Sequence, residues 1–246
     1  MPVIDINCDM GEGIGNDEMI MPYISSANIA CGYHAGNETM IKETIELAQK
    51  NNVAIGAHPS FFDKENFGRT AMHLTADKIY DLIILQLRVI ERIATQLHTK
   101  LHHVKPHGAL YNMSAKDPTI ANAIANAVKD FDGDLILFGL SGSSSIREAD
   151  QLQLKTANEV FADRTYQDDG SLTPRSQPNA LIGDSARSVT QVLQMIGERT
   201  VTTVYGKKIS ITADTICIHG DGRNAVDFAK AIHQNLKQNK IDIKAI

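Results

Sequence analysis

The feature that most limits what this chain can fold into is its alternation. Short apolar runs rich in β-branched residues recur along the 246 residues, and most are followed by a segment with helical periodicity. "VIDIN" (3–7), "SANIAC" (26–31), "VAIGA" (53–57), "LHHVK" (101–105), "LILFGL" (135–140), "LQLKTANEVF" (152–161) and "DTICIH" (214–219) read as strands. Length, β-branched content and bounding glycines and prolines separate them from short helices. From 75 to 98, Ile79, Ile83, Leu87, Ile90, Ala94 and Leu97 form one apolar stripe at helical spacing. Asp117 and Pro118 read as an N-cap and first-turn pair, with Ile120, Ile124, Ala127 and Phe131 striped behind them. Further helices are expected over 184–197 and 223–238. Strands apolar on both faces, alternating with helices, predict a parallel sheet covered by helices. Seven such units predict an α/β fold with a closed or nearly closed parallel barrel rather than an open sheet. "TTVYGKKISIT" (202–212) interrupts the alternation and predicts one small hairpin turning at Gly206. No repeat, low-complexity segment or linker divides the chain, so 1–246 is read as a single domain.

Composition removes several classes of function. A net charge of −5, with scattered basic residues, carries no footprint for nucleic acid or an anionic membrane surface. No apolar stretch approaches the ~20 residues needed to span a bilayer. "MPVIDINCDMGEG" has neither the basic nor the long apolar region of a secretory signal. Cys8, Cys31 and Cys217 are odd in number and widely spaced, which argues against a disulfide framework and for a reducing cytoplasm.

The polar residues fall where a barrel would use them. Asp9 and Glu12 follow the first strand, His34 the second, His58 the third, and Lys105 and His107 the fourth. "GLSGSSS" follows the fifth, "NEVFADR" ends the sixth, and "HGDG", with His219 and Asp221, ends the seventh. In a parallel barrel these C-terminal ends share one face, where loops build active sites. A lone histidine at a strand end is more often structural; four in register (His34, His58, His107, His219) point to chemistry. Asp9 and Glu12 either cap a short helix near Asn16 or activate water. Lys105 either caps a sheet edge or neutralises developing negative charge. The cysteines, Cys31 included, read as small buried hydrophobes rather than nucleophiles. Ser141, Gly142 and Ser143 offer a weak phosphate cradle at a helix start, and no P-loop motif is present. Residues 158–175 form a long polar connection carrying Glu159, Asp163, Arg164 and Arg175, of a length that is usually functional or mobile. If a metal is bound, Asp9, His34, His58 and His219 are the expected ligand types; the residues alone commit to none.

Six stretches carry a resemblance. "DINCDMGEG" (5–13), "SANIACGYHAG" (26–36), "GAHPSFFDKENFGR" (56–69), "HVKPHGALYN" (103–112), "EVFADRTYQDDGSLTPR" (159–175) and "TICIHGD" (215–221) resemble the LamB/YcsF family in the same order along the whole chain. Departures are local: Asn37 stands where the family usually has aspartate, Thr70 where a second basic residue often follows, and "GRNA" where "TPGA" is common. The resemblance implies an irregular seven-stranded parallel β/α barrel, TIM-barrel-like and of the glycoside hydrolase and polysaccharide deacetylase type. It also implies the A component of a three-part 5-oxoprolinase, working with B and C subunits to open 5-oxo-L-proline to L-glutamate with hydrolysis of ATP to ADP and phosphate. On that reading Asp9, Glu12, His34, His58, Lys105, His107, His219 and Asp221 are the expected catalytic set. Arg69, Glu159, Asp163 and Arg164 are expected to bind substrate. Two alternatives stand beside it: a metal-dependent N-acetyl sugar deacetylase, and a non-catalytic binding subunit. "FF" at 61–62 is a candidate for a partner contact or for burial over the barrel mouth.

Overall fold

Each of the seven apolar runs becomes a strand that pairs in parallel with its neighbours. The computed structural model describes residues 2–220 and 225–246. Its strands begin β1 (Val3–Met10), β2 (Ser26–Ala30), β3 (Ala54–His58), β4 (His103–Val104), β5 (Ile136–Leu140) and β6 (Lys155–Phe161). The antiparallel hairpin β7 (Thr200–Thr202) and β8 (Lys208–Ser210) follows, and Gly206 supplies the positive φ (+80°) of its turn. Then come β9 (Thr215–Ile218) and β10 (Asp242–Ile243). β1 pairs with β2 on one side and β9 on the other, Asp5 to Cys8 facing Thr215 to Ile218, and this closes a seven-stranded parallel barrel. β10 lies outside it and takes the start of β1, pairing with Val3 and Ile4, a strand not foreseen from the sequence. The two-residue β4 makes the barrel irregular.

The helices are α1 (Asp17–Ile20), α2 (Glu38–Lys50), α3 (Ala76–Gln96), α4 (Gly108–Ser114), α5 (Pro118–Phe131), α6 (Ser144–Gln151), α7 (Ser185–Gly197) and α8 (Ala225–Gln238). The expected stripe of α3 is buried at Ile79, Ile83, Leu87, Ile90 and Ala94. Asp117 caps α5, accepting from Thr119 N at 2.8 Å. Asn37 caps α2 by accepting from Met40 N at 3.0 Å, a role its family alternative aspartate would fill equally well. Among the described residues no helix is long and apolar enough to cross a membrane.

One expectation fails in an instructive way. The strands are apolar towards the helices but polar towards the barrel lumen, so they are not apolar on both faces. Along β1, Ile4, Ile6, Cys8 and Met10 join the buried apolar cluster that includes Ile41 and Ile45 of α2 and Ile232 of α8. The intervening Asp5, Asn7 and Asp9 are equally buried but hydrogen-bond across the lumen. Because side chains alternate along a strand, Ser26 and Asn28, His103 and Lys105, and Thr215 and Cys217 join them. His103 fits only because its cross-strand neighbour Gly56 has no side chain; a Cβ there would overlap the imidazole ring.

Candidate active site

The C-terminal ends of the strands open into a cavity of about 720 Å³. Asp9, Glu12, His58, Arg69, Lys105, His107, Ser141, Gly142, Ser143, Arg164 and His219 all lie on its wall. The other expected residues reach it through neighbours. His34 stacks on His107 with ring centroids 3.8 Å apart, Glu159 pairs with Lys105, and Asp163 bonds His219. Asp221 lies outside the described residues.

Lys105 is the electrostatic centre. Its ammonium is 2% exposed and donates to Asp9 Oδ1 (2.9 Å), Asn7 Oδ1 (3.2 Å) and Cys217 Sγ (3.1 Å). Glu159 Oε1 forms an ion pair with it at 2.9 Å. Burial alone would lower its pKa, but Asp9, Cys217 and Glu159 outweigh burial and hold it well above the usual lysine value. The converse holds at Asp9: burial pushes its carboxyl up, yet His58 and Lys105 draw it well below the usual range. Asn28 Nδ2 donates to Asp9 Oδ1 at 2.9 Å. Asp9 therefore stays ionised at the mouth, and it does not cap a helix; α1 starts at Asp17 with no side-chain cap at Asn16. Lys105 does not cap a sheet edge, because a closed barrel offers it none.

Three of the four histidines converge. His58 Nε2 lies 2.9 Å from His107 Nδ1 and 3.3 Å from Asp9 Oδ2, and His34 Nε2 lies 3.0 Å from Glu12 Oε1. Burial lowers the pKa of His34 and, with His58 beside it, that of His107, the latter to about 3. His219 stands apart: its Nδ1 meets both Asp163 oxygens at 2.9 Å. The four ligand types expected for a metal thus do not form one cluster. His34 and His58 group with Glu12 and His107, whereas Asp9 and His219 group with Cys217.

The long connection after β6 is folded onto itself by bridges between Arg164 and Leu181 and between Tyr166 and Leu172. Arg164 helps tie it, its Nε and Nη2 donating to Ala180 O (3.3 Å) and Thr173 O (2.6 Å). Arg69 lies with its guanidinium 5.1 Å from the Phe67 ring centroid. Sequence reasoning missed Asn7, Asn28, Cys217 and Tyr111 as parts of the site. The first three were signalled by a polar residue at every second position of an apolar strand. Tyr111, on α4, carried no such signal; its buried hydroxyl lies beside Glu159, and among the described residues the buried Ser143 hydroxyl has no hydrogen-bond partner. "FF" divides: Phe61 is buried and Phe62 is exposed, edge-on to Tyr33.

Comparison with known proteins agrees with this architecture. Residues 4–246 match the model of the LamB/YcsF family. The chain is 50% identical to the 5-oxoprolinase A subunit of Tolumonas auensis, covering all of both chains. It is 51% identical to the protein of the same name from Oceanobacillus iheyensis, over 98% of this chain and 96% of that one. The crystal structure of a lactam utilization protein from Thermus thermophilus superposes with a TM-score of 0.93 at 38% identity, covering 99% of this chain and all of the other. A family 4 carbohydrate esterase from Streptomyces lividans (TM-score 0.55, 11% identity, 100% and 93% of the two chains) shares the fold alone.

Proposed function

The chain belongs to the LamB/YcsF family, and from that premise we propose that it is the A subunit of an ATP-dependent 5-oxoprolinase. In this role it opens 5-oxo-L-proline to L-glutamate in the cytoplasm, together with B and C subunits. The observation that carries the reading is end-to-end identity of about 50% to proteins of that name. The cavity at the barrel mouth, of a size suited to a small molecule, is consistent with it.

A five-membered lactam is a resonance-stabilised amide, and its ring readily recloses. Phosphorylating the amide oxygen at the expense of ATP converts it into an electrophile that water can attack. We assign that activation to the assembled complex and ring opening to this chain. Asp9, held as a carboxylate by Lys105 and Asn28, takes the proton of the attacking water. Lys105 offsets the negative charge of the oxygen that carries the phosphate. His219, oriented by Asp163, delivers a proton to the departing ring nitrogen, and a second water hydrolyses the resulting acyl phosphate to L-glutamate and phosphate. Arg69 pairs with the substrate carboxylate, where a guanidinium fork fits. The turn at Ser141–Ser143 meets the phosphate, with the buried Ser143 hydroxyl available to donate.

The test is glutamate release from 5-oxo-L-proline, with and without ATP, by this chain alone and mixed with B and C subunits. ATP-dependent glutamate in the full mixture only is the expected result. No glutamate with B and C subunits that work alongside the matching component of a relative would overturn the proposal. Full activity from a folded Lys105→Ala chain would demote the protein to a purely binding role.

A further inference from the structure

The histidine cluster poses a hydrogen-bonding problem that its own atoms do not solve. A ring nitrogen facing a backbone carbonyl must carry the proton, because a carbonyl only accepts. His58 Nδ1 faces Lys105 O at 2.7 Å and so is the protonated nitrogen, which leaves a lone pair on Nε2 in the neutral ring. His107 Nε2 donates to Phe67 O at 2.9 Å, leaving a lone pair on Nδ1. These two lone-pair nitrogens point at each other across 2.9 Å. His34 repeats the pattern. Ser60 Oγ gives its proton to Phe61 O at 2.9 Å and accepts from His34 Nδ1 at 2.9 Å. His34 Nε2 is then an acceptor facing another acceptor, Glu12 Oε1, at 3.0 Å.

We infer that these four atoms are the ligand set of a divalent, zinc-like cation: His34 Nε2, His58 Nε2, His107 Nδ1 and Glu12 Oε1. All lie within 4.8 Å of one another. The separations given by the contacts are 2.9, 3.0, 3.6 and 4.0 Å. They bracket the ~3.3 Å between neighbouring donors of a tetrahedral site with bonds of about 2.0–2.1 Å, and the rings of His34 and His107, stacked 3.8 Å apart, must turn out of parallel for both lone pairs to meet one ion. Each imidazole has its other nitrogen fixed by an outer partner (Ser60 Oγ, Lys105 O or Phe67 O), the arrangement that orients metal-binding histidines. The backbone is shaped for it as well. Phe67 holds a left-handed φ of +56°, uncommon for a side chain of its kind, while presenting its carbonyl to His107. Gly68 beside it would bring a Cβ to 2.9 Å from both His107 and His34. A single extra proton on His58 would satisfy its contacts with His107 and with Asp9 Oδ2 (3.3 Å) but not the one between His34 and Glu12; one cation satisfies all three, its charge standing beside Asp9 where the imidazolium's would. Four protein donors make a closed site, so the ion ties together the chain following β1, β2, β3 and β4 at the mouth.

The test needs neither ATP nor a partner protein, so its failure and that of the 5-oxoprolinase reading are separable. The chain is stripped with EDTA, titrated with Zn²⁺ or Co²⁺, gel-filtered and assayed for metal content, visible absorption and Tm. The expected result is about one retained equivalent, d–d bands of four-coordinate Co²⁺ without a thiolate charge-transfer band, and a Tm raised by about 5 °C or more. Ser60→Ala, which removes only an outer partner, is expected to bind about 10–100-fold more weakly. His34→Gln, confirmed as folded by circular dichroism, is expected to retain none. Wild-type protein that retains no metal would leave shared protons as the solution and overturn the inference. So would a cobalt–thiolate band, which places the ion at Asp9, Cys217 and His219, or unchanged stoichiometry in folded His34→Gln.

Discussion

Asp5 and Asp9 lie one above the other on the same strand, both turned into the lumen and both buried, and the barrel treats them in opposite ways. Asp5, at the floor, accepts from the hydroxyls of Ser25 (2.6 Å), Ser26 (2.7 Å) and Thr215 (2.5 Å). These neutral donors only partly offset its burial, and its pKa is raised. Asp9, at the mouth, is buried too, but a histidine and a lysine overcome the burial and its pKa falls well below the usual range. The floor is a satisfied network of hydroxyls and amides. The mouth holds Glu159 by its ion pair with Lys105 and turns acceptors towards one another. Two carboxyls whose pKa values are pushed in opposite directions mark the structural end of the barrel and the end that does chemistry.

The largest way to break this contrast is to remove the cation. Lys105→Met strands Glu159 as a buried, uncompensated acid and leaves Asp9 with His58 and Asn28, with an expected loss of about 3–5 kcal/mol in urea unfolding and of all turnover. A loss below 1 kcal/mol would mean that the mouth is not organised around this lysine. Next comes the pair of isosteric changes. Asp9→Asn should lower turnover by about 10²–10⁴-fold, the range for a general base. Asp5→Asn should cost about 1–2 kcal/mol of stability while leaving turnover within about threefold. Equal effects on turnover would erase the division between floor and mouth.

Stability against pH sharpens the contrast further. Asp9, with a lowered folded pKa, contributes stability above its unfolded pKa of about 3.9, and that stability is lost as pH falls through the folded value. Asp5, with a raised folded pKa, has the opposite sign: its contribution is fully present below about pH 3.9 and is lost as pH rises through the folded value. Urea unfolding from pH 3 to 6 should therefore lose a rising slope in Asp9→Asn and a falling slope in Asp5→Asn. The smallest expected effect is that of Tyr111→Phe, which removes a buried hydroxyl beside Glu159. Its stability should fall by about 1 kcal/mol or less. A loss of about 3 kcal/mol or more would show that this hydroxyl, rather than Lys105, is what satisfies Glu159.

Much of this was legible in the residues. The seven barrel strands lie within about three residues of the apolar runs that announced them, the hairpin turns at Gly206, and Asp117 caps where the Asp-Pro pair said it would. Helices α4 and α6, of seven and eight residues, are too short to display a period, and the thin stripe of α2 (Ile41, Ile45, Ala48) went unread. The polar lumen was also written plainly, as Asp5–Asn7–Asp9, Ser26–Asn28, His103–Lys105–His107 and Thr215–Cys217–His219. It went unread because an apolar run invites the eye to average over the alternation that separates the two faces of a strand.

What the sequence by itself determined is therefore the set of elements and the polar residues at their ends, since apolar periods, caps and turn glycines act over a few neighbouring positions. What only the tertiary structure decided is which of those residues meet. Barrel closure brings Asp5 to Thr215 and Lys105 to Cys217, pairs separated by 210 and 112 positions. It also sends His219 to Asp163 rather than to the other histidines. Whether a buried carboxyl is ionised, and which nitrogen of a ring keeps its lone pair, depends on contacts of 3 Å or so made across the lumen. No local pattern encodes them, because each partner arrives on a different strand.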